Sequence, residues 1–235
     1  KFILVQKNSF IFKSVEKGKI RGRYTIIGFN PDKIYNINKN KVVIDSFNNK
    51  KIIKTNTLQY LNDLIKNFKV KSSNKLPKMS SMLVGYFSYD IIRLIERIPD
   101  KCKKDINIPD IRLMRPKNLI IYDNLKKKIF FIQNVFKDEI IENYELKYSL
   151  ISKSFKEFLN FGKIKLPEHF HKNLKSSVIK SNITKKKFKN NVLKAKKYIK
   201  KGDIFQVVLS QRFESKIEKP PLEIYNSLRI LNPSP

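Results

Sequence analysis

The chain has 235 residues, 51 Lys and Arg against 20 Asp and Glu, a formal net charge of +31 and 41% hydrophobic residues. That is apolar enough for a real core, in one large domain or two small ones. No apolar run approaches the roughly 18 residues of a membrane helix, and the single Cys102 allows no intrachain disulfide, which fits a reducing cytoplasm. Residues 2–5 and 9–14 alternate or run apolar and predict strands. Residues 22–30 and 40–46 follow the same pattern, with a turn at Asn30-Pro31-Asp32 between them. Thr57 then N-caps a helix in which Leu58, Leu61, Leu64, Ile65 and Phe68 recur at helical spacing. A polar loop with Pro77 leads to a buried strand over 82–89 and a short helix over 90–97. Residues 118–123 and 129–135 pair as a hairpin across Asn124 to Lys128.

Tyr144 to Phe161 reads as helical, and Gly162 and Pro167 then break the pattern. Residues 162–181 read as a linker. His169 and His171 lie in it without carboxylates or cysteines around them, so a solvated loop is the reading rather than a metal site. Thr184 starts an amphipathic helix with Phe188, Val192, Ala195 and Ile199 on one face. Gly202 is its C′ residue, where a left-handed backbone is needed. The helix is expected to lie against the strand that follows. In that strand Phe205, Val207, Leu209 and Phe213 are apolar, while Gln206, Ser210 and Arg212 fall on the opposite face. An amide, a hydroxyl and a guanidinium together suggest a site wall. A last helix runs from Pro221 to Leu231. Short strands interrupted by helices, without regular alternation, argue for an α+β fold.

The basic excess is mostly Lys and is spread along the chain. It reads as solvated surface rather than a polyanion site, because phosphate and base readers lean on Arg. Lys101, Lys103 and Lys104 surround Cys102, but no candidate base lies nearby to make it a reactive thiol. No Gly-rich phosphate loop, metal-ligand cluster or nucleophile motif is present.

The run from Tyr198 to Phe213, YIKKGDIFQVVLSQRF, closely resembles the signature of the chorismate-using component I of anthranilate synthase. Asn232-Pro233-Ser234-Pro235 stands where that family has Asn-Pro-Ser-Pro-Tyr-Met. Gly85-Tyr86-Phe87-Ser88-Tyr89-Asp90 is similar to its Gly-Tyr-x-Gly-Tyr-Asp pattern, with Ser88 in place of the second glycine. Pro109 to Pro116 and Gly22 to Gly28 also fit, in the right order. Phe12-Lys13-Ser14 stands where the family has Leu-Glu-Ser.

The resemblance implies packed antiparallel sheets flanked by helices, with chorismate bound in the later domain. Residues 1–161 would be the N-terminal, regulatory domain. Residues 162–181 would be the linker, and 182–235 the start of a chorismate-binding domain cut before its end. The implied reaction converts chorismate and ammonia to anthranilate and pyruvate. A separate glutamine amidotransferase subunit supplies the ammonia. Magnesium is implied as cofactor, with its ligands and most catalytic residues beyond Pro235. Gln206 aligns with a lysine that activates water in related isochorismate-type enzymes. An amide cannot take that proton, so Gln206 suits an enzyme that adds ammonia. L-tryptophan is the implied feedback ligand, through Ser14, Pro235 and Arg23. Lys13, in place of an acid, would repel its amino group. Val207-Val208-Leu209-Ser210-Gln211 favours the anthranilate branch over aminodeoxychorismate synthase of folate synthesis. A basic nucleic-acid-binding protein is the alternative from another class.

Overall fold

The computed structural model describes residues 7–13, 22–46, 49–68, 73–101, 106–136, 144–161, 178–217 and 219–232. The strand expected over 2–5, Ser14, Cys102, His169, His171, Pro235 and most of the expected linker lie outside these residues. The chain divides into two compact units, one of Lys1–Lys165 with Pro233–Pro235 and one of Leu166–Asn232.

The first unit is built on a 7-stranded antiparallel sheet. Its spine is the pairing of β2 (Tyr24–Asn38) with β6 (Ile111–Asp123), which runs from Tyr24↔Asp123 to Ile37↔Ile111. At the Tyr24 end the spine is flanked by β1 (Phe10–Lys13) and β7 (Lys128–Gln133). At the Ile37 end it is flanked by β3 (Lys41–Ser46), β4 (Asn49–Lys54) and β5 (Val84–Phe87).

Asn30-Pro31-Asp32 is not the expected turn. The strand continues through it, and the register with β6 shifts between Pro31 and Lys33. A bulge inserts one residue and so switches which parity faces inward. Before it, the even residue Ile26 pairs with Ile121; after it, the odd residue Tyr35 pairs with Leu113. On one face of β6, Leu113 and Ile111 therefore meet Tyr35 and Ile37 beyond the bulge as Ile121 meets Ile26 before it, with the Lys33↔Arg115 pair between them. Proline has no N–H to donate to the ladder, and Asn30 takes a positive φ of 49°, so this is where the ladder yields.

The two halves of that face carry separate cores. Ile26, Leu119, Ile121 and Ile132 form one, with Met79 and Met82 against it. Tyr35, Ile37, Val42, Ile111 and Leu113 form the other, covered by α1 (Thr57–Asn67) through Tyr60, Leu61 and Leu64. Leu58 and Ile65, expected on the same helix face, are 40% and 65% exposed. The N-cap is Asn56, whose side chain accepts from Gln59 N, and not Thr57. Thr57 is instead buried, and its hydroxyl donates to the carbonyl of Lys39.

On the opposite face, α2 (Tyr144–Phe161) sets Phe155 against Phe131 of β7, with ring centroids 5.2 Å apart. The hairpin of β6 and β7 and the span of α2 follow the sequence pattern. The strand expected to be buried over 82–89 is shorter and lies at the sheet edge, with only Val84 buried. A 3-10 helix, Tyr89–Leu94, follows it.

In the second unit, α3 (Lys185–Lys201) begins and ends as its sequence predicts. Thr184 accepts from Lys187 N, and Gly202 closes the helix at φ 77°. Its last turn is sealed by Gly202 N and Asp203 N donating to the carbonyls of Ile199 and Tyr198. Such a cap satisfies carbonyls that the helix leaves open. The apolar face is open, however, and none of its described residues is buried. The expected strand over 205–213 reduces to β9 (Phe213–Glu214), paired with β8 (Lys180–Ser181). β8 falls inside the expected linker. Phe205 is 95% and Val208 82% exposed, because no other described strand offers this stretch a ladder. α4 (Pro221–Leu231) has Pro221 at its first position, where a missing N–H costs nothing.

Candidate functional site

Two of the family-like motifs of the first unit meet where Gly85 to Phe87 of β5 pair with Leu113 to Ile111 of β6, the third, from Gly22 to Gly28, lies at the other end of the spine, and charged clusters mark both ends. At the Tyr24 end, Arg23 donates through Nε and Nη2 to the two carboxylate oxygens of Asp123, at 3.0 and 2.6 Å. Its guanidinium also stands 4.8 Å from the Tyr24 ring centroid. Asp123 Oδ1 accepts from Leu125 N and Lys126 N and so shapes the hairpin turn. The Arg23 hydrogen bonds hold the Asp123 carboxyl well below the usual carboxylate range, against an opposing push from burial, and the turn amides add to them. Midway, Arg115 clasps Asp32 at the bulge and lies 3.9 Å from the Phe136 ring centroid.

At the Ile37 end the turn of β2 into β3, the 3-10 helix and the segment before β6 enclose a cavity of about 330 Å³. Arg93 fastens its wall. Nε donates to Asp90 at 3.0 Å, and Nη1 donates to the carbonyls of Ile98 and Pro99, each at 2.8 Å. Asp110 ties the other side, accepting from Lys39 N at 3.1 Å while its own N–H donates to Asn38 Oδ1 at 3.0 Å. Sequence reading found none of this cluster. Its only local signal is Asp90 three residues before Arg93, a spacing that brings side chains together on a helix.

Ser88 N donates to the carbonyl of Asp110 at 2.8 Å, but its buried hydroxyl has no partner. Ser88→Ala keeps the backbone bond and removes the unpaired group. It is expected to stabilise the protein by about 1 kcal/mol, read as a higher urea midpoint at unchanged m-value.

The residues expected to serve a site are placed as follows. Arg23 is the Asp123 partner described above. Lys13 ends β1 and pairs with Thr25. Gln206 is exposed outside any strand, as is Ser210. Arg212 is 2.7 Å from Glu214, and its N–H donates to Asn182 Oδ1 at 3.0 Å. Gln211 Nε2 donates to Ser181 Oγ at 2.6 Å. The single polar wall of Gln206, Ser210 and Arg212 is thus not built, since only its Arg212 end is anchored to a ladder. Among the described residues no three His, Cys, Asp or Glu stand close enough to hold a metal ion, so they form no magnesium site. Nor, among them, is any helix long and apolar enough to cross a membrane.

Residues 7–235 match the family described as chorismate binding enzyme, and the chain belongs to that family. Within it, the similarity runs to anthranilate synthase components. The chain is 36% identical over 232 residues to anthranilate synthase component 1 of Acetivibrio thermocellus, covering 96% of this chain and 47% of that protein. It is 31% identical over 235 residues to the component 1 of Cereibacter sphaeroides, covering 97% and 47%. The crystal structure of anthranilate synthase component I from Streptococcus pneumoniae TIGR4 superposes with a TM-score of 0.70 at 26% identity, covering 97% of this chain and 49% of that one. The α+β architecture of antiparallel sheet and helices is therefore that of component I. The chain spans about half the length of these relatives.

Proposed function

We propose that this chain is the front part of an anthranilate synthase large component, which converts chorismate and ammonia to anthranilate and pyruvate. The observation that carries the reading is 36% identity to such a component across 96% of the chain. In this reading residues 1–161 form the regulatory domain, 162–181 the connection, and 182–235 the start of the chorismate-binding domain. The exposed apolar side chains between Phe205 and Leu209 would join a sheet supplied by the remainder of the protein. Gln206 would then face chorismate with an amide that cannot deprotonate water, leaving ammonia as the nucleophile. A glutamine amidotransferase partner would deliver that ammonia. Magnesium belongs to the proposal through the resemblance alone, with ligands beyond Pro235.

For tryptophan feedback, Ser14 and Pro235 come ahead of Arg23, whose guanidinium already serves Asp123. A cytoplasmic site fits the single Cys102.

The test joins this chain to the second half of the Acetivibrio thermocellus relative. Given chorismate, ammonium and magnesium, the joined protein is expected to produce anthranilate fluorescence, and the chain alone none. Gln206→Lys in the joined protein should lower that rate. An inactive joined protein beside an active, intact relative would sink the proposal. Production of aminodeoxychorismate instead would move the chain to the folate branch.

A further inference from the structure

We propose that the cavity at the Ile37 end of the β2–β6 pair binds a small organic cation, an aliphatic or aromatic body carrying a protonated amine. The floor is apolar and fixed. Beneath it Ile37 and Ile111 are fully packed, at 0% and 1% exposed, and the accessible apolar surface is that of Ile91, Leu94 and Ile98 in the walls. A cavity of about 330 Å³ accommodates a body the size of a phenyl ring with a short chain.

The charges at its mouth set the class of ligand. In the whole chain basic residues outnumber acidic ones by 51 to 20. Among the described residues that line this cavity the balance reverses, with Asp90, Asp100 and Asp110 against Lys39 and Arg93. Arg93 is committed to Asp90 and to two carbonyls, so it has little left for a ligand anion. Lys39 is held only at 3.7 Å from Asp100, and its side chain is 75% exposed. An ion pair that open is weak and easily exchanged. A ligand ammonium at the mouth can take the place of Lys39 beside Asp100 while its body covers Ile91, Leu94 and Ile98. A ligand carboxylate there would meet three aspartates. The arrangement also differs from a metal site, since these carboxylates do not converge on one point.

The probes are 2-phenylethylamine and its neutral counterpart 2-phenylethanol, titrated into the methyl-labelled whole chain and followed by NMR. The expected result is shifts at the methyls of Ile91, Leu94, Ile98 and Ile111, with the amine at least about fivefold tighter than the alcohol. Lys39→Ala removes the competing ammonium and should tighten the amine by about threefold while leaving the alcohol unchanged. Asp100→Asn should bring the amine down to the affinity of the alcohol. Because Asp100 also borders Arg93, the Lys39 variant keeps the test independent of any loosening of that loop. Absence of shifts at these methyls up to the solubility of the amine would overturn the proposal. So would equal affinities for amine and alcohol, or a weaker amine in Lys39→Ala.

Discussion

Gly85→Ala is expected to cost the first unit at least about 3 kcal/mol and to release β5 from β6. A Cβ built on Gly85 would lie 1.8 Å from the carbonyl oxygen of Arg112 and 2.9 Å from Leu113 Cα. Both are backbone atoms of the spine, so no rotamer change can make room. The strand must move instead, and the Gly85↔Leu113 and Tyr86↔Arg112 pairs move with it. Ser88 and the 3-10 helix follow β5 directly, so the cavity wall would be lost as well. Gly28→Ala provides the comparison. Its Cβ would meet the ring of Phe10 at 2.1 Å, a side chain that can turn aside, so a smaller loss is expected there. Chemical denaturation of both variants checks the order. Equal stabilities for Gly85→Ala and the wild type would mean that β5 does not pack as described.

Acid is expected to unfold the first unit, and Asp123 should account for a large part of the effect. Its carboxyl is held below the ordinary range by Arg23 and the turn amides. The unfolded chain therefore binds this proton more readily than the folded one. The contribution is complete above the ordinary aspartate pKa of about 3.9 and drains away as pH falls below it, toward the folded value. Asp123→Asn abolishes that proton linkage while nearly preserving shape. The variant should be less stable than the wild type at neutral pH, and the gap should narrow below about pH 4. Thermal melts followed by circular dichroism from neutral to strongly acid pH measure this. A gap that stayed constant with pH would show that the Arg23 pair does not discriminate between charge states of Asp123.

Where a pattern and its partners are local, the sequence was readable. The β6–β7 hairpin alternates cleanly on both sides of a polar turn. Tyr144 to Phe161 keeps helical spacing between breakers, and Thr184 and Gly202 are each suited to one end of a helix. The failures have a common cause in distant pairing. Asn30-Pro31-Asp32 has the chemistry of a turn, and only the presence of β6 alongside turns it into a bulge. β4 reads Asn-Lys-Lys-Ile-Ile-Lys, an edge strand guarded by lysines and without alternation. From Phe205 to Leu209 the alternation is genuine, but among the described residues no ladder receives it.

The charged clusters escaped for the same reason. Arg23 and Asp123 are 100 residues apart, and Asp110 bonds to Lys39 across 71. The resemblance to chorismate-using enzymes identified the family, yet it could not reveal what those aspartates and arginines do in the first unit.

The long reach of the spine bears on how the protein is made. β2 cannot complete its pairing until residues 111–123 exist, although β1, β3 and β4 can join it earlier. While a ribosome is still adding the residues before Ile111, one side of a 15-residue strand has no mate. Such an edge invites pairing with a neighbouring nascent chain. High contact separation also slows closure once synthesis has passed that point. The demand on chaperones should therefore peak as synthesis approaches Ile111 and fall once β6 has left the exit tunnel.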